Sequence, residues 1–300
     1  MSNNPNQVVM KERNIQHLTT AQLIGKILVK AITYGFLFVM ALAVLFPFYW
    51  MIISSFKTLD EYRWSVPSFW PQTFKFANYT NAFTAGNLGK LFLNTVYVGV
   101  LSTILSLVIT VLSAFAFARL EFKGKGTLFA ALLATMMIPG ELFTITNYQT
   151  VYMLKWNNQF IALIVPFLVS VFYIYLLRQN FMQIPNELYL AAKVDGCGDL
   201  KYLIKVMIPL ATPTLISITI LKMMGAWNSY VWPRLVANDK AHQLITNGLI
   251  KTGFTDAETN LTDYPAQMAA VVLVSIPLFL VFLFLRKYIM SGVSRSGIKG

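Results

Sequence analysis

The chain has 300 residues, 56% of them hydrophobic and 12% charged, with a mean hydropathy of +0.59. Such composition points to an integral membrane protein rather than a large soluble core. The net charge of +12 raises nucleic acid as a partner, the single cysteine (Cys197) excludes a disulfide framework or cysteine zinc site within the chain, and the two histidines (His17, His242) lack metal-ligand spacing.

In chain order, Met1–Ala21 is polar and opens a tail of residues 1–26. The first uncharged apolar run is Ala31–Phe56, long enough to cross a hydrocarbon core of ~30 Å, which takes ~20 helical residues. It is too long for a signal-peptide core and no small-residue cleavage site follows it. Leu91–Ala118 is a second such run. Thr127–Leu154 is a third and carries Glu141, with Pro139-Gly140-Glu141 expected to break it. Trp156–Leu177 is a fourth, uncharged throughout. Val206–Pro233 is a fifth, carries Lys222, and is expected to bend at Pro209 and Pro213. Tyr264–Leu285 is the sixth, and residues 291–300 form a second tail. Backbone groups in lipid must bond internally and no period-2 alternation is present, so the runs are helices. The fold class is an all-α integral membrane protein with six transmembrane helices in a domain of residues 27–290.

Lysine and arginine set the orientation. With the N-terminus inside, the inner segments hold fifteen of them and the outer segments eight. Both termini are therefore cytoplasmic, and the positive charge reads as topology and anionic-lipid contact, without nucleic acid. The outer segments Lys57–Lys90 and Arg234–Asp263 are rich in Trp, Tyr, Asn and Thr, as expected either of surfaces that meet something outside or of solvated connectors. The glycosylation sequons at Asn78 and Asn260 read as chance matches.

The inner loop at about 185–205 is distinctive: "ELYLAAKVDGCGDLKYLIKVMIPLATPTL", Glu187 to Leu215. Asn186 after Pro185 offers a helix start, with Glu187 in the first turn where the helix dipole favours a carboxylate. Leu188, Ala191, Ala192 and Asp195 fall on one flat face, and Gly196 and Gly198 turn the chain sharply. On spacing alone the element is an interfacial helix or a docking helix. Along the spans, Pro139, Glu141, Asn228 and Tyr230 are candidates for a solute path, because an intramembrane carboxylate faces protein or a water-filled cavity. Structural pairing is the competing reading of Glu141, and snorkelling or pairing that of Lys222.

"ELYLAAKVDG" followed by "IPLATP" resembles the EAA loop of ABC importer permeases. The matched positions are Ala191, Ala192, Asp195, Gly196 and Pro209, with Leu190 where the family has glutamate. "AFARLEFKGKGTLF", "MMIPGEL", "LLRQNFMQIP", "WNSYVWPRLV" and the closing "SGVSRSGIKG" are similar to the carbohydrate branch, the MalG-like permeases. The resemblance implies that the loop is a coupling helix inserted into a cleft of an ATPase. Glu187, Leu188, Leu190, Ala191, Ala192, Asp195 and Gly196 would dock there, with hydrophobic contact gaining weight because Leu190 replaces the glutamate. It implies a second homologous permease, two cytoplasmic ABC ATPase subunits, an extracytoplasmic sugar-binding protein, and a multi-pass place in a bacterial or archaeal plasma membrane. The chain itself has no P-loop, since Gly124-Lys125-Gly126-Thr127 lacks the GxxxxGK[ST] spacing, so no cofactor is expected in it and ATP and Mg belong to the ATPase. A permease for a non-sugar solute and an ion-coupled carrier are the alternatives. The carrier is disfavoured because only Glu141 and Lys222 are ionisable at depth. A membrane-anchored sensor would carry a soluble domain.

Overall fold

The computed structural model describes residues 20–85, 87–251, 254–255 and 261–294. Most of these are helical, and among them no strand forms beyond one antiparallel bridge between Thr255 and Thr262. The chain divides into two units, Met1–Trp50 and Met51–Gly300. The helix α1 (Thr20–Ser55) supplies the described part of the first unit and its last residues, 51–55, belong to the second; it begins inside the expected N-terminal tail, the rest of which lies outside the described residues. Its side chains over residues 25–49 are all exposed, and a helix apolar on every face suits lipid rather than water.

The second unit carries, in order, α2 (Leu59–Tyr62), α3 (Ala77–Ala85), α4 (Leu88–Arg119), α5 (Lys125–Thr135), α6 (Thr144–Met153), α7 (Phe160–Ile164), α8 (Val171–Met182), α9 (Asn186–Val194), α10 (Asp199–Tyr202), α11 (Ile208–Leu210), α12 (Thr212–Asn228), α13 (Val231–Val236), α14 (Ile245–Lys251) and α15 (Tyr264–Ser294). Gly25–Ser55, Leu88–Arg119 and Tyr264–Arg286 are single helices long and apolar enough to cross a membrane. The other expected spans are bent pairs: Lys125–Thr135 with Gly140–Met153 at 84°, Phe160–Phe167 with Val171–Met182 at 46°, and Asp199–Leu210 with Thr212–Asn228 at 80°.

The first and last of these breaks fall where proline was expected to place them, at Pro139 and between Pro209 and Pro213. A proline donates no N–H and its ring displaces the preceding turn. A π-helical turn, Leu203–Met207, enters the last break. The middle break corrects the reading of Trp156–Leu177 as one uninterrupted run. Pro166 sits in a 3-10 turn, Val165–Phe167, and Ser170 restarts the helix by accepting a bond from the Tyr173 N–H at 3.4 Å. The C-terminal tail residues 295–300 lie outside the described residues.

The helix α4 is the axis of the second unit. Thr95, Ser102, Thr103, Ser106 and Thr110 are buried along it, small residues that let neighbouring backbones approach closely. Helix α12 runs antiparallel to it: Phe92 meets Trp227 edge-on at 5.6 Å, and a Cβ on Gly99 would lie 2.7 Å from the Met223 sulfur. Helix α8 runs parallel to it, and the two are laced at their C-terminal ends. Arg119 donates through Nη2 to the carbonyls of Phe181 (3.0 Å) and Ile184 (2.5 Å), and Arg178 donates through Nε to the carbonyl of Phe117 at 3.0 Å. Each arginine thus ties the end of its own helix to main-chain carbonyls at or just beyond the end of the other. The Arg178 guanidinium also lies 4.1 Å from the centroid of Phe129.

The segments after α1 and α12 are folded rather than plain connectors. Asn78, fully buried, donates from Nδ2 to the carbonyls of Ser55 and Lys57, both at 2.8 Å, which removes it as a glycosylation acceptor; Asn260 lies outside the described residues. Beyond α13, Asn247 donates to the carbonyls of Pro233 (3.1 Å) and Ala237 (2.9 Å) and accepts from the Leu244 N–H at 2.8 Å. Asn94 on α4 donates to the carbonyls of Ala241 and Gln243, and Thr95 accepts from the Ile245 N–H, so this segment is knitted onto the bundle.

Candidate functional site

At the end of the bundle where α4 and α8 stop, Pro185 starts α9 in extended geometry, with Glu187 in the first turn and Lys193 in the last. Both charges complement the helix dipole. The helix ends in a Schellman motif: the Cys197 N–H bonds the Ala192 carbonyl at 2.8 Å and the Gly196 N–H bonds the Lys193 carbonyl at 3.0 Å. Gly196 sits at φ +69, the left-handed position this closure requires.

The inner edge of α9 is Tyr189, Ala192 and Cys197, half-buried against a core that includes Phe181, Ile184, Tyr202, Leu203 and Met207. A polar clasp holds it there. The Tyr189 hydroxyl donates to Asp199 Oδ1 at 2.7 Å, Lys193 pairs with the same oxygen at 2.6 Å, and the rings of Tyr189 and Tyr202 lie 5.1 Å apart. The hydrogen bond to Asp199 holds the Lys193 ammonium above its ordinary range, and burial, then Asp199, push the Tyr189 phenol up.

Of the seven expected docking residues, Glu187, Leu188, Leu190, Ala191, Asp195 and Gly196 are exposed, and Ala192 alone turns inward. Leu188 is 45% and Leu190 56% exposed, and beside them Val194 is 88% and Leu200 63% exposed. The helix is thus well anchored yet presents an apolar patch of leucine and valine outward. Sequence reading missed Val194 and the Tyr189–Lys193–Asp199 clasp; the i, i+4 spacing of Tyr189 and Lys193 was the available cue.

A second site lies within the bundle. A cavity of about 370 Å³ is lined by α4 (Val98, Ser102), by the broken α7–α8 pair (including Phe167, Ser170 and Tyr173) and by α12–α13 (including Lys222, Ser229 and Trp232). Trp232 is fixed by its indole N–H, which donates to the Ala162 carbonyl at 2.9 Å. Lys222 pairs with no acid among the described residues; its Nζ donates to the Phe167 carbonyl at the α7–α8 break. The four expected path residues do not line this cavity. Pro139 and Glu141 are exposed at the 84° break, Asn228 is exposed, and Tyr230 is half-buried, accepting a hydrogen bond from Arg234. Asn228 and Tyr230 flank Ser229, which does line it.

The family described as binding-protein-dependent transport system inner membrane component matches residues 18–295. The probable ABC transporter permease protein MG189 of Mycoplasma genitalium is 30% identical over 307 residues, covering 97% of this chain and 93% of that protein. The arabinooligosaccharides transport system permease protein AraQ of Halalkalibacterium halodurans is 31% identical, covering 90% of this chain and 96% of its own. Among solved structures, a chain from a bacterial ABC transporter involved in the import of the acidic polysaccharide alginate superposes with a TM-score of 0.77 over 90% of this chain and 98% of its own, at 24% identity, a likeness of fold.

Proposed function

Because the chain belongs to the family of binding-protein-dependent transport system inner membrane components, we propose that it is the permease subunit of an ATP-driven sugar or oligosaccharide importer. It is a multi-pass membrane protein of the permease class and not an enzyme. The observation that carries the proposal is α9: a rigidly anchored helix with exposed Leu188, Leu190 and Val194, at the end of a bundle of apolar helices. Such a surface fits a cleft on an ATPase that binds the ATP and Mg this chain has no motif to hold. The sugar assignment is supported by the carbohydrate motifs and by relatives such as the arabinooligosaccharides permease.

The proposed topology has six spans, three of them broken, within residues 27–290, with the tails at 1–26 and 291–300 and the α9 loop in the cytoplasm. The parallel run of α4 and α8 supports it, because the chain between them must recross the bilayer, which the bent α5–α6 pair does. The partners are a second homologous permease, two ATPase subunits and an external sugar-binding protein. Purification in mild detergent from native membranes should yield one copy of this chain with one second permease and two ATPase copies. In intact cells an impermeant maleimide should leave Cys197 unlabelled. A bare monomer or homodimer that binds solute without an ATPase returns the chain to the ion-coupled class. Pro139, Glu141, Asn228 and Tyr230 stay as proposed path residues facing the second permease. Glu141→Gln is expected to lower solute-stimulated ATP hydrolysis, and an unchanged rate removes it from the path.

A further inference from the structure

Of the residues lining the 370 Å³ cavity, Lys222 is the one with a charge, and no carboxylate lines it. The ammonium has three N–H donors and one goes to the Phe167 carbonyl, which fixes where the charge sits. The rest of the wall is hydroxyl, aromatic and aliphatic: Ser102, Ser170, Tyr173, Ser229, Trp232 and Leu163 among others. Several of these polar groups are committed elsewhere. Ser102 donates to the Gly99 carbonyl, Ser170 caps the Tyr173 N–H, and the Trp232 indole is held by Ala162.

A neutral Gln could pin α12 to the α7–α8 break without the expense of placing a charge at membrane depth. A lone cation in low-dielectric walls instead makes the cavity attractive to anions. We infer that the cavity takes an anionic sugar, a uronate or a sugar phosphate, and that Lys222 is the specificity-determining residue that meets its carboxylate or phosphate. The word sugar rests on the permease reading above; the charge preference does not.

Cys197 is the sole cysteine, so a Cys197→Ser background makes Ser229→Cys a reporter inside the cavity. In the purified complex, the thiol is reacted with anionic sulfonatoethyl and cationic trimethylammonioethyl methanethiosulfonates, each referred to its rate with free cysteine. The anionic reagent should be favoured, and that preference should fall about tenfold in Lys222→Gln and survive in Lys222→Arg. Glucuronate or glucose 6-phosphate should slow the reaction where glucose at the same concentration does not, and the better protector of the two identifies the anion. A rate ratio unchanged by Lys222→Gln, protection by glucose equal to that by the anions, or a thiol that no reagent reaches would each overturn the inference. An intact charge preference in a preparation that carries no ATPase would sink the permease reading and leave this one standing.

Discussion

Replacing Gly196 by Arg should abolish uptake, to under a tenth of the parent rate, while the permease reaches the membrane at near-normal level. The geometry separates the two effects. A left-handed position costs a non-glycine residue about 1–2 kcal/mol, too little to unfold the bundle. A Cβ built on Gly196 meets nothing of this chain within 4 Å, so the arginine has room on its own protein. Whatever it obstructs must belong to a partner seated on α9. Gly196→Ala carries the same backbone strain without the bulk, and should keep most of the uptake. Equal loss in the two variants would trace the defect to strain and remove α9 as the docking surface.

Arg119→Ala should lower the stability of the purified permease by about 3–6 kcal/mol, because hydrogen bonds to a charged donor contribute ~1.5–3 kcal/mol each and two of them are lost. Those carbonyls, Phe181 and Ile184, stand at the root of α9, and Pro185 follows directly. Loosening them should therefore also reduce coupling, read as ATP hydrolysis that continues with less solute moved per nucleotide. Arg119→Lys keeps the charge but its shorter side chain lacks the planar, pre-organised nitrogen that bonds both carbonyls, and should fall between the two. A variant that melts and couples like the parent would show that the bonds are not made in the membrane.

What the sequence disclosed depended on whether a feature left a local pattern. The long helices α4 and α15 did, through unbroken apolar runs, and so did the breaks at Pro139 and at Pro209 with Pro213. The start of α9 at Asn186 and its stop at Gly196 were legible from dipole-compatible charge and from glycine. The break at residues 168–170 was not, since Pro166 and Ser170 are uncharged and leave hydropathy intact. The cavity was hidden for a different reason. Lys222 is held by a backbone carbonyl 55 residues away, and every backbone offers that group, so no residue type announces the partner. Asn247 escaped notice the same way, its three partners all being main-chain groups. Ala192 was assigned to docking because alanine permits close approach. It does so, toward the protein's own core.

The arginine lacing of α4 and α8 also has a history within each molecule. Arg119 leaves the ribosome 62 residues ahead of Phe181, which at ~5–20 residues per second is roughly 3–12 s. Through that interval the guanidinium has no carbonyls from α8 and rests among water and lipid headgroups. In the proposed topology it belongs there to the cluster with Lys123 and Lys125 that would retain the end of α4 on the cytoplasmic side. Only when α8 arrives does the same side chain give up the headgroups and close onto Phe181 and Ile184. In that topology one arginine would serve the nascent chain as a topogenic signal and the finished permease as a latch.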